Sequence, residues 1–82
     1  MLSNADILEQ ARQIKALNND PKATEMLDDI KDSMEKAIVE ALVAGKSDVF
    51  IAGNRFEDCT AMGFTGVFQP FANKTRVNLP AL

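Results

Sequence analysis

The chain contains no Trp, no Tyr and no His, and only one cysteine, Cys59. Without His, the side chain most often used for general acid–base catalysis is missing, and the usual structural zinc sets cannot be assembled. A lone cysteine cannot form an internal disulfide and, lacking a basic neighbour such as His, has nothing to activate it as a nucleophile. No apolar run approaches the roughly 20 residues of a membrane span. The first residues, Met1 to Asp6, lack the basic and apolar regions of a secretory leader. The expectation is a chain without a signal peptide, either intracellular or part of a particle assembled in a cytoplasm. Neither half has the clustered Lys and Arg of a nucleic-acid binder, so direct nucleic-acid binding is not expected.

Glycine and aromatic residues are missing from Met1 to Ala44 and abundant afterwards. Phe50, Phe56, Phe64, Phe68 and Phe71 are the only aromatics, and Gly45, Gly53, Gly63 and Gly66 are the only glycines. The 82 residues therefore read as one small domain, 1–82, made of an acidic helix-favouring part (1–44) and a Phe/Gly-rich part (45–82). A chain this short buries only about 60–65% of its unfolded surface. Such scaffolds usually need a disulfide, a metal or a partner subunit. With the first two excluded by composition, a partner subunit remains.

Within 1–44 the pattern is helical. Ser3 or Asn4 can cap a first helix, with Ile7, Ala11 and Ile14 at helical spacing and a turn at Asn18-Asn19. Asp20-Pro21 is a strong helix start, since Asp caps and Pro at the first position loses no needed bond. The spacing of Ala23, Met26, Leu27, Ile30, Met34, Ala37, Ile38 and Ala41 predicts one second helix from there to about Ala44, roughly 36 Å long. Gly45 would close it. The short linker favours an antiparallel helical hairpin. The first helix is too short to cover residues 38–44, so the Phe-rich segment of the same or a neighbouring chain would have to do so.

Within 45–82 the pattern is extended. Asp48 to Ala52 reads as a strand, Gly53-Asn54 as a two-residue hairpin loop, and Arg55 to Thr60 as the returning strand with Phe56 opposite Ile51. Phe64 to Gln69 is a third candidate strand, ended by Pro70. Asn73-Lys74 can turn the chain into Thr75–Leu79, where Thr75, Val77 and Leu79 alternate with Arg76 and Asn78. The fold class expected is α+β: a helical hairpin followed by a small antiparallel sheet or β-arm. A self-associating long helix with an exchanged β-arm is the alternative.

The motifs that suggest chemistry have plainer readings. Ala44-Gly45-Lys46-Ser47 resembles the end of a phosphate-binding loop, but Glu40 stands where that loop needs glycine, and a helix precedes it instead of a strand. Glu25, Asp28, Asp32 and Glu35 would share one helix face, diluted by Lys22, Lys31 and Lys36. With no perturbed acid–base pair and no cofactor motif in view, neither an enzyme nor a cofactor or small-molecule substrate is expected.

Two functional expectations follow. The first is a structural or adaptor subunit of a homomeric assembly, of the virus-particle or tail-component kind. Its partner-binding residues would be Phe64, Phe68, Phe71, Val77, Leu79 and Leu82, drawn from the Phe-rich segment and the apolar tail. The second is a small acidic regulator that binds one host protein through Glu25, Asp28, Asp32 and Glu35.

Overall fold

The computed structural model describes residues 3–18 and 20–82. Met1 and Leu2, part of the stretch read for a leader, and Asn19 of the expected Asn18-Asn19 turn lie outside the described residues. The fold is α+β, with helices and a three-stranded antiparallel sheet.

Helix α1 spans Asn4–Ala16. Ser3 caps it: its hydroxyl accepts the Asp6 amide, and the Asp6 carboxylate accepts the Ser3 amide in return. Ile7, Ala11 and Ile14 are its buried residues, as the 3.6-residue period requires. The predicted second helix is interrupted. Helix α2 runs over Pro21–Asp28, capped by Asp20, and α3 over Ser33–Val43, capped by Asp32. Asp32 Oδ1 accepts the Glu35 amide at 2.9 Å, satisfying an orphan donor of the first turn. This cap starts a new helix, while the buried Ile30 holds the link to the core. The single helix ending near Ala44 is thus corrected to two helices, and α1 packs mainly against the second of them, α3.

Helix α3 ends as expected at Gly45, with φ of 76°. The Gly45 amide donates to the Leu42 carbonyl and the Lys46 amide to the Ala41 carbonyl, the paired bonds of a Schellman cap. Ala44-Gly45-Lys46-Ser47 is a helix terminus, followed by strand β1, Asp48–Ala52.

The expected hairpin after β1 is not formed. Arg55–Thr60 is largely helical, with α4 at Phe56–Ala61, so Phe56 does not pair with Ile51. Two acids, Glu57 and Asp58, occupy the first turn of α4, where the helix dipole favours them, and Arg55 Nε pairs with Asp58 Oδ2 at 2.6 Å. Thr75 fixes the junction: its buried hydroxyl donates to the Gly53 carbonyl and accepts the Arg55 amide, both at 2.8 Å.

Strand β2 covers Thr65–Gln69 and β3 Lys74–Asn78, joined by a turn in which Asn73 has φ of 49°. The sheet order is β1-β3-β2. The alternating C-terminal segment therefore forms the central strand instead of an arm or an added edge. Val49, Val77 and Gly66 lie in one row of the inner face, and Ile51, Thr75 and Phe68 in the next. Helix α4 packs on β2 and α3 on β1, and one hydrophobic cluster runs from Ile7 through Ile38 and Leu42 to Phe64 and Val77. The far end of α3 is covered by this chain's own strands.

Candidate interaction surface

The helices cover one face of the sheet and leave the other to solvent. Strand alternation sends Phe50, Arg76 and Val67 into the central row of the open face, directly opposite one another across the three strands. Lys74 and Gln69 flank this row on one side, Asn78 and Thr65 on the other. Among the described residues, the large hydrophobic ones left exposed are Phe50 (47%), Phe56 (47%), Val67 (58%) and Phe71 (108%), all between β1 and the β2–β3 turn.

Lys74, Arg76, Thr65 and Asn78 on the open face are already engaged. Lys74 Nζ lies 4.0 Å from the centroid of the Phe50 ring, a cation–π contact. Arg76 Nε donates to Asp48 Oδ2 at 2.9 Å, and Asn78 Nδ2 to Thr65 Oγ1 at 3.4 Å. At the end of the sheet nearest α4, Phe56 and Phe68 share a cleft of about 480 Å³ with Asn54, Glu57 and Asp58. Phe71 stands apart at the tip of the β2–β3 turn.

The residues singled out in the sequence divide into three groups. Phe64 and Val77 are buried in the chain's own cluster, so they are corrected from partner-facing to core positions. Their burial follows from α4 and β3: Phe64 closes the Schellman cap of α4, its amide bonded to the Cys59 carbonyl, and Val77 is an inward residue of the central strand. Leu79 and Leu82 are half-buried against that same cluster, and the Leu79 amide donates to the Ser47 carbonyl at 2.9 Å. The tail is thus docked on its own chain. Phe68, half-buried, and Phe71, fully exposed, stand outside that cluster.

Phe50, Phe56 and Val67 were missed. The signal for Phe50 was present: once Val49 and Ile51 are taken as inward, Phe50 must face outward. Phe56 was hidden by its assignment to a hairpin strand. Val67 follows from pairing with Arg76, which the sequence order alone does not disclose.

The four carboxylates do not form one continuous helix face. Glu25 and Asp28 lie on α2, Asp32 is the cap of α3 and Glu35 lies in its first turn. Asp28 Oδ1 pairs with Lys36 Nζ at 3.5 Å. Among the described residues no group of three or more His, Cys, Asp or Glu is placed to hold a metal ion. Cys59 is fully buried, and desolvation pushes its thiol pKa up, away from the thiolate a nucleophile needs. No helix among the described residues is long and apolar enough to cross a membrane.

The surface therefore offers apolar contact area, one cation stacked on Phe50, and a salt bridge from Arg76 in its central row to Asp48. Comparison with known proteins adds no relative: no family model matches the chain, and searches of curated proteins and of solved structures likewise find no match.

Proposed function

We propose that the protein is a non-enzymatic structural or adaptor subunit that associates with further copies of itself through the Phe-rich segment. The contact residues in this reading are Phe50, Val67 and Phe71, while Phe68 lies in the inner-face row beside the cleft it shares with Phe56. Phe64, Val77, Leu79 and Leu82 support them from within. The observation that carries the reading is the exposure of Phe50 and Val67 on the open face of the sheet and of Phe71 at its β2–β3 turn, while the inner face and the tail are already packed. Isolated exposed hydrophobics are ordinary, but among the described residues the large exposed ones all lie between β1 and the β2–β3 turn, which supports a contact surface there.

The regulator reading gains no comparable support. Asp32 is occupied in capping α3 and Asp28 in pairing with Lys36, so both have structural work within the chain.

Sedimentation velocity of the intact chain over a micromolar to millimolar series tests the proposal. The expected result is a mass that rises with concentration. A monomer at every concentration overturns it.

A further inference from the structure

Strand β1 is an edge of the sheet, and the bonds just beyond its two ends show which of its backbone groups are in use. The Leu79 amide donates to the Ser47 carbonyl at 2.9 Å, and the Gly53 amide to the Asn73 carbonyl at 2.8 Å. Along an antiparallel ladder, every second residue turns its amide and carbonyl to the neighbouring strand. Ser47, Val49, Ile51 and Gly53 therefore face β3, while Asp48, Phe50 and Ala52 turn their amides and carbonyls away from it, to the open edge. Among the described residues these outward groups have no hydrogen-bond partner within the chain. Phe50 and Ala52 are exposed, and α3 packs on the inner face of the strand.

The two edges of the sheet are not equivalent. By the same alternation Lys74, Arg76 and Asn78 bond to β2, so only Gly66 and Phe68 turn their backbone groups outward there. Helix α4 packs against that strand, a glycine interrupts it and Pro70 follows it. Strand β1, Asp-Val-Phe-Ile-Ala, carries no Pro, Gly or Lys, the residues that commonly blunt an edge.

We propose that β1 pairs antiparallel with β1 of a second copy, about a two-fold axis at Phe50, joining the two sheets into one. This contact rests on the self-assembly reading and gives it a location. The strand is its own complement in this register. Its outward residues are spaced evenly about Phe50, so Phe50 meets Phe50 of the second copy, Asp48 meets Ala52, and Ala52 meets Asp48. Each such pair exchanges two hydrogen bonds, about six in all, and no outward donor or acceptor of β1 is left over. That number falls inside the roughly 5–15 direct hydrogen bonds of a typical interface.

Side chains favour the same arrangement. Phe50 lies on the open face, so the two rings become cross-strand neighbours at the centre of the contact. The antiparallel direction sets each Asp48 opposite a neutral Ala52, whereas a parallel, in-register pairing would set Asp48 beside Asp48. The Asp48–Arg76 salt bridge and the Lys74 stack on Phe50 both lie within one copy, and neither uses the outward backbone groups. The contact is isologous and closes as a dimer, in which the open faces form one continuous surface with Val67 toward each outer edge.

The test is amide hydrogen exchange on the intact chain across a concentration series, read beside sedimentation velocity. As the dimer forms, the Asp48, Phe50 and Ala52 amides should slow on the order of tenfold or more, while Gly66 and Phe68 keep their rates. Two variants complete it. Phe50→Glu places like charges face to face across the axis, and Ala52→Pro removes an outward amide that bonds to nothing within the chain. Once circular dichroism shows each to be folded, each should associate on the order of tenfold more weakly than the parent, or less. A rising mass with the β1 amides unchanged overturns the inference and leaves self-assembly standing. So does protection at Gly66 and Phe68 instead, or folded variants that both associate like the parent. A parent that is monomeric at every concentration removes both readings.

Discussion

A Cβ atom built on Gly66 would stand 2.8 Å from Cys59 Sγ and 2.9 Å from the Arg76 carbonyl oxygen. Gly66 is therefore the point at which β2 is pressed against α4 on one side and β3 on the other. Its φ is not left-handed, so the demand for glycine here is one of space, not of backbone geometry. The Gly66→Ala variant should lose about 1–3 kcal/mol of stability, the usual cost of overpacking a filled core. Urea denaturation measures it. Adding Cys59→Ala should recover only part of the loss, because the Arg76 carbonyl remains in the way. Full recovery would show that the sulfur alone sets the spacing.

Thr75 provides a second check on how the Phe-rich half is held. Its hydroxyl is the link between Gly53 and Arg55, and it is fully buried. Thr75→Val keeps the shape and the strand preference but leaves the part-buried Gly53 carbonyl and Arg55 amide without their partner. The expected loss is about 1–3 kcal/mol. Hydrogen exchange at the Arg55 amide should quicken more than at the β3 amides, because the bond lost is the one that starts α4. A uniform acceleration would mean that Thr75 stabilises the sheet as a whole and not this junction.

What could be read in the sequence was local. The Ser3 and Asp20-Pro21 starts, the Gly45 stop, the Ile7–Ala11–Ile14 stripe and the alternation around Thr75 and Val77 are all carried by short-range patterns along the chain. The break between Asp28 and Ser33 was missed because the apolar stripe keeps its phase through Ile30, which is buried although it is not helical. The signal was Asp32 followed by Glu35, a capping pattern inside what looked like a continuous helix. The strand order was not legible at all. Gly53-Asn54 suits a hairpin locally, yet β1 pairs with β3, whose residues lie far along the chain, and α4 fills the interval. The pairing of β1 with β3 and the packing of α4 on β2 are long-range contacts, which short-range patterns do not contain. The interaction surface inherited the same error: taking Phe56 for a strand residue and the tail for an arm put Val77 and Leu82 outside and left Phe50 unexamined.

Cys59 gives the protein a defined response to alkali. Its side chain is fully buried and its Sγ lies 3.5 Å from the Phe64 carbonyl, to which it donates. Burial raises the pKa above the ordinary thiol value of 9.0, because the thiolate would have to exist without water. The sign follows from proton linkage: the folded chain holds this proton to higher pH than the unfolded chain does. The stabilising contribution is complete below the unfolded value and is lost as pH rises through the raised folded value. Urea midpoints measured from neutral pH upward should therefore fall past pH 9.0, and Cys59→Ala should remove that component of the slope. In parallel, a thiol reagent at mildly alkaline pH should react slowly with the native chain and rapidly once urea unfolds it. Fast labelling of the native chain would show that the α4–β2 contact opens on its own, and with it the support beneath Gly66 and Val67.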